Sequence, residues 1–167
     1  MNLSKNTILI TGGTSGIGFE LAKQLSKLGN TIIITGRDQT KLDQAKQKLS
    51  NVHAYQSDVS DLKAISALYD RVTKDFPELN ILINNAGIMR TINLHDRADS
   101  LDSLTQEIDI NLSGPIRMVK QFLPHLKKQK AAAIMNVTSG LAFVPLPTSP
   151  IYSATKAALH SFSLSLR

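Results

Sequence analysis

Short apolar runs alternate with stretches of helical spacing from one end of this chain to the other, and that alternation limits the folds open to it. Residues 7–11, 31–35, 52–56, 79–84 and 132–138 read as strands buried on both faces. Between them, Phe19, Leu21, Ala22, Leu25 and Leu28 mark a helix that stops at Gly29. Leu42, Ala45 and Leu49 mark a second helix. Leu62, Ile65, Leu68, Tyr69 and Val72 form the stripe of a third over residues 61–76, with Pro77 just beyond. A fourth helical segment covers residues 101–129, with an interruption expected at Gly114-Pro115, and a last one begins near Ile151. Strands and helices alternating at this spacing call for a parallel sheet with helices on both faces and right-handed crossovers. The expectation is one doubly wound α/β unit over residues 1–167, without linker or repeat. Arg167 falls inside the last helical pattern with no stop signal, so the chain reads as cut within that helix. The fifth strand is then left with a bare outer edge.

Composition narrows the function classes. There is no cysteine, which excludes disulfide frameworks and thiolate metal sites and fits a cytoplasmic protein. The four histidines, His53, His95, His125 and His160, lack metal-ligand spacing and read as structural, so no metal is expected. The first seven residues are polar and do not resemble a signal peptide. No window approaches the length of a membrane span. The net charge is +6, yet the basic residues are scattered apart from Lys127, Lys128 and Lys130, and aromatics make up 5%. That argues against nucleic acid and leaves a phosphorylated small ligand as an equally good use of the charge. Residues 96–102, rich in aspartate, read as a solvated loop.

One stretch is costly enough to need a reason: LITGGTSGIGFELAKQL, Leu9 to Leu25. It places four glycines within positions 12–18, and glycine loses more backbone freedom on folding than any other residue. A plain turn is one reading; close approach of backbone to a ligand is the other. Its place, after the first strand and at the start of a helix, is the context of a dinucleotide-binding turn. Gly12 then makes the tight turn, Gly16 lets backbone reach a pyrophosphate, and Gly18 lets the helix pack against the strand. The helix N-terminus supplies unpaired N–H groups, and Thr14 and Ser15 add hydroxyls.

The segments TGGTSGIG, NNAG at residues 84–87 and YSATK at residues 152–156 together resemble the short-chain dehydrogenase/reductase superfamily over the whole length of the chain. The wording of residues 92–129 and SGLAFVP at residues 139–145 further resemble bacterial oxidoreductases of the DltE-like group. The resemblance implies a Rossmann-like sheet of five strands in the order 3-2-1-4-5, lacking the family's last strands. It implies a nicotinamide dinucleotide held by Gly12, Thr14, Ser15, Gly16, Ile17 and Gly18. Asn85, Ala86 and Gly87 would line that cofactor, with Asn84 bracing the sheet. Asp58 and Val59 would contact adenine, although Asp58 and Asp61 equally suit the first turn of a helix. Asn111, a weak helix former, would kink its helix and hold a water that relays protons from Lys156. Tyr152 and Lys156 would touch the cofactor and serve catalysis, and the protein would be a homo-oligomer.

The residues themselves refine this. In NAD-preferring proteins of this kind an acid ends the second strand and takes the ribose hydroxyl. Here Gly36 stands there and Arg37 follows, which removes repulsion from a 2′-phosphate and offers a guanidinium to grip it, so NADP(H) is expected over NAD. Tyr152 and Lys156 are four apart, hence neighbours on one helix face. A cation about 4 Å from the phenol oxygen favours phenolate by about 4 kcal/mol at an effective dielectric near 20, before desolvation is counted. Such a tyrosine can protonate a developing alkoxide or deprotonate an alcohol. Ser139, thirteen residues before Tyr152, falls just past the fifth strand, where its hydroxyl can hold the substrate oxygen or simply cap a turn. Residues 141–152, with three prolines, read as a stiff apolar wall for a carbonyl or secondary-alcohol substrate with a hydrophobic part. The reading that emerges is an NADP-dependent oxidoreductase. The other is a non-catalytic dinucleotide-binding or assembly module that keeps the same motifs.

Overall fold

The computed structural model describes residues 2–92, 94 and 101–166. Five parallel strands form one sheet: β1 (Thr7–Thr11), β2 (Thr31–Gly36), β3 (Val52–Gln56), β4 (Leu79–Asn84) and β5 (Ala133–Asn136), in the order β3-β2-β1-β4-β5. Strand periodicity explains why the central runs are apolar throughout. Leu9, Ile33 and Leu82 point to one face, and Ile8, Ile10, Ile32, Ile34 and Ile83 to the other.

Each face has its own helices. Ala22 of α1 (Gly16–Lys27) and Leu42 and Ala45 of α2 (Gln39–Lys48) cover the isoleucine face. Ile65, Leu68 and Val72 of α3 (Leu62–Asp75) and Met118, Val119 and Phe122 of α5 (Gly114–Leu126) cover the other, where Tyr69 meets Phe122 edge-on at 5.3 Å. Two further α-helices are α4 (Leu101–Ile108) and α6 (Pro150–Ser165).

Two local expectations are corrected. The fourth helical segment does not break at Gly114-Pro115; those residues open α5. The irregularity lies just before them, a π turn at Asp109–Ser113 in which Gly114 N–H donates to Asp109 O. Pro115 has no N–H to give the carbonyl four residues back, at Asn111, so the hydrogen-bond ladder is disturbed upstream of the proline rather than at it. The fifth strand is also shorter than residues 132–138. Its pairing partner β4 stops at Asn84, opposite Asn136, and after one more bond, Val137 N–H to Asn84 O at 2.9 Å, the chain leaves the sheet.

Because the strands are parallel, the loops after β1, β2, β3 and β4 gather at one edge of the sheet. The order reverses between β1 and β4, and at such a switch point the loops part and open a crevice.

Candidate active site

The crevice is stitched together at its centre by one buried threonine. Thr11 Oγ1 accepts from Asn85 N–H at 3.0 Å and from Ala86 N–H at 3.1 Å, while Asn85 Nδ2 donates to Thr11 O at 2.9 Å and Gly12 O at 3.0 Å. The glycine turn and the NNAG segment are thus one construction. Its closeness excludes side chains: a Cβ at Gly12, where φ is +66°, would lie 2.9 Å from Ala86 Cα. One at Gly18 would lie 2.4 Å from both Gly12 O and Asn85 Nδ2. Gly18 packs the helix against the turn at Gly12 and against Asn85, rather than against β1 itself.

Gly16 differs. Its φ is +55° and nothing stands within 4 Å of where a Cβ would be. Ser15 makes no side-chain cap bond to α1, so the first N–H groups of the helix and the serine hydroxyl have no capping partner in one another. An open approach, a bare helix N-terminus and flanking hydroxyls suit a pyrophosphate. The residues present therefore fit a dinucleotide.

Gly12, Thr14, Ser15, Gly16, Ile17, Arg37, Asp58, Val59, Asn85, Ala86, Gly87, Tyr152 and Lys156 all line this cleft. Arg37 is exposed at one end, and Lys41 from the first turn of α2 joins it there. Asp38 caps α2, accepting from Lys41 N–H at 3.1 Å. Asp61 caps α3 through Lys63 and Ala64 N–H, which leaves Asp58 free of that task; Asp58 Oδ1 instead accepts from Ser60 N–H at 2.9 Å and Ser60 Oγ at 2.7 Å.

The other end is built from buried polar side chains. Lys156 is 4% exposed, and its Nζ donates to Val137 O at 2.8 Å, the carbonyl reached where β5 has left the sheet. Burial pushes the Lys156 pKa down. Its Nζ lies 5.6 Å from the centre of the Tyr152 ring. A Cβ at Gly87 would stand 3.6 Å from that Nζ and 3.2 Å from Asn111 Oδ1, so the three residues converge.

Three expected site residues stand off the cleft lining. Gly18 lies beneath it. Asn111 is buried behind it and bonded to protein: Oδ1 accepts from Ile88 N–H at 2.9 Å, and Nδ2 donates to Ile88 O at 2.8 Å and Thr155 Oγ1 at 3.3 Å. Thr155 Oγ1 in turn donates to Tyr152 O at 2.7 Å. Ser139 Oγ accepts from Leu141 N–H at 3.1 Å and caps the 3₁₀ turn Gly140–Ala142, while its neighbour Thr138 faces the cleft. Of residues 141–152, Tyr152 alone is among the lining residues; Phe143 packs edge-on against His160 at 4.7 Å instead.

Sequence reasoning missed Thr11, Thr138, Thr155 and Lys41. Thr11 had one available signal, a hydroxyl as the last strand residue before the glycine turn. It also missed Glu107, wholly buried in α4, whose Oε1 accepts from Arg90 N–H at 2.6 Å and ties down the loop after β4. Among the described residues no cluster of three or more potential metal ligands occurs, and no helix is long and apolar enough to cross a membrane. His95 and most of residues 96–102 lie outside the described residues.

Comparison with known proteins agrees with this geometry. The family model described as short chain dehydrogenase matches residues 6–167. A Bacillus subtilis protein named uncharacterized oxidoreductase DltE is 52% identical over the whole chain, which spans 66% of that protein's length. An Arabidopsis thaliana protein named 11-beta-hydroxysteroid dehydrogenase-like 3 is 34% identical; the match covers 99% of this chain and 55% of that protein. A short chain dehydrogenase/reductase from Burkholderia phymatum, solved in complex with NAD, superposes with a TM-score of 0.90 at 27% identity. There the match covers 99% of this chain and 60% of that one.

Proposed function

The chain belongs to the short-chain dehydrogenase family, and from that premise we propose that it is an oxidoreductase interconverting a carbonyl compound and a secondary alcohol with NADP(H). The observation that carries the reading is a shared cleft, lined at once by the glycine loop, Arg37 and the Tyr152–Lys156 pair. When bound, the nicotinamide supplies or accepts the hydride.

The remaining work falls to the chain. Gly12, Gly16, Ile17 and Gly18 present the helix N-terminus to the phosphates, and Thr14 and Ser15 add hydroxyls. Asp58 and Val59 would hold the adenine, and Asn85, Ala86 and Gly87 the nicotinamide half. Arg37 would hold the 2′-phosphate, with no acid at Gly36 to oppose it. Tyr152 Oη gives its proton to the substrate oxygen as that oxygen gains negative charge, and takes it back in the oxidative direction. Lys156, held by Val137 O, sets a cation beside the phenol that stabilises the oxygen once its proton has gone. Ser139 accepts from Leu141 N–H and keeps its own O–H to donate to the substrate oxygen. Asn111 holds the Ile88 wall, and the water relay from Lys156 belongs to the same proposal.

Tyr152→Phe tests the reading. Carbonyl-dependent NADPH oxidation should fall about 10²- to 10⁴-fold, the usual contribution of a positioned acid or base. NADPH binding should stay within about threefold. Undiminished turnover would overturn it. Binding of NADPH with no turnover across a broad panel of aldehydes and ketones would favour a non-catalytic nucleotide-binding module instead. A parallel titration with NADH measures the cofactor preference. A cytoplasmic homo-oligomer is part of the same proposal, and a strictly monomeric sedimentation profile at high concentration counts against it.

A further inference from the structure

Strand β2 ends at Gly36, and any side chain there would begin 2.9 Å from Thr14 Cγ2. The next nearest atoms, Leu42 Cδ2 and Thr14 Oγ1, are at 3.6 Å, ordinary contact. Neither backbone is free to retreat. Gly13 N–H donates to Thr35 O at 3.0 Å, and Ser57 N–H donates to Gly36 O at 3.0 Å. A Cβ at Gly13 would lie 2.6 Å from Ile34 Cβ, so the glycine loop rests directly on β2. Whatever rises from position 36 must therefore displace the threonine side chain. The neighbouring Asp38 also lines the cleft, but its Oδ1 caps α2, which ties that carboxylate to the helix N-terminus.

We propose that Thr14 is a specificity-determining residue: its γ-methyl fills the space from which an acidic side chain at position 36 would reach the adenosine ribose, so positions 14 and 36 set the nucleotide preference jointly. The inference rests on the nucleotide reading given above and adds to it a contact between two residues distant in sequence. Introducing a carboxylate at Gly36 is then insufficient to turn the site toward NADH, because the side chain arrives where the methyl already stands.

Titration of the 167-residue chain with NADPH and with NADH, for wild type, Thr14→Ser, Gly36→Asp and the double variant, tests this. Thr14→Ser removes the methyl and keeps the hydroxyl, and shifts both nucleotides in the same proportion. Gly36→Asp weakens NADPH by about tenfold or more with little gain for NADH. The double variant binds NADH at least about fivefold tighter than the product of the single effects requires, as touching residues do. Single effects that multiply to within about twofold overturn the proposal. Gly36→Ala adds the Cβ alone: it weakens both nucleotides and Thr14→Ser restores them, whereas Gly36→Ala binding as wild type overturns the proposal. If the position-36 variants fail to fold, rescue by Thr14→Ser supports it and no rescue overturns it. A wild type preferring NADH sinks the cofactor reading instead. The same cycle read as thermal midpoints without nucleotide still decides whether the two residues are in contact.

Discussion

The two ends of the cleft are built on opposite principles. The glycine end is made by leaving side chains out: loop, strand and helix approach so closely that a single carbon at Gly18 would meet the carbonyl of Gly12. The tyrosine end is made by burying polar side chains and satisfying them, with Asn111, Ser153, Thr155 and Lys156 all buried and hydrogen-bonded. The first end should fail by collision and the second by orphaned groups.

The sharpest way to break the comparison is Gly18→Ala. Overpacking against backbone should cost about 3 kcal/mol, seen as a lower urea midpoint, and should abolish nucleotide binding. If the variant is as stable as wild type, close packing is not what holds this end.

Asn111→Ala attacks the other end. It leaves Ile88 N–H, Ile88 O and Thr155 Oγ1 short of a partner, at about 1–3 kcal/mol for a buried orphaned group. Turnover should fall more than nucleotide affinity. A loss of affinity equal to the loss of turnover would mean that the ends are not separable.

Gly16→Ala is the control for the first end. Its space is open, so only the left-handed backbone conformation is charged, about 1–2 kcal/mol, less than at Gly18. Equal costs at the two positions would remove the distinction between collision and strain.

The smallest effect is one of pH. Burial lowers the Lys156 pKa in the folded chain below its ordinary 10.5. Between those two values the unfolded chain binds the extra proton, so the unfolding free energy rises with pH across that window, while below it the full penalty of a buried charge persists. The stability of wild type relative to Lys156→Met should therefore improve as pH rises toward 10.5; a flat difference would mean that the lysine carries no such penalty.

Much of this architecture was legible before any coordinates. A strand buried on both faces announces itself as an apolar run, and the glycines at 12, 16 and 18 mark the turn from β1 into α1, because short-range geometry dictates both. Local pattern does not carry what long-range partners decide. The extent of β5 depends on where β4 stops. The irregularity of the fourth helical segment belongs to the residues that lose a proline's missing N–H, not to the proline. Ser139 was readable as a candidate hydroxyl, but its bond to Leu141 N–H depends on the path of the loop.

From residue order alone follow the parallel α/β sheet, the glycine turn at its first crossover and the tyrosine and lysine one helical turn apart. Spacing along the chain and the periods of strand and helix are sufficient for these. Tertiary structure decided that Thr11 ties the turn to Asn85 and Ala86, that Val137 O receives Lys156, and that Thr14 stands in the way of a side chain at Gly36. Each of these is a contact between residues at least nineteen apart, set by strand register and loop path, and no local pattern encodes which groups those bring within reach.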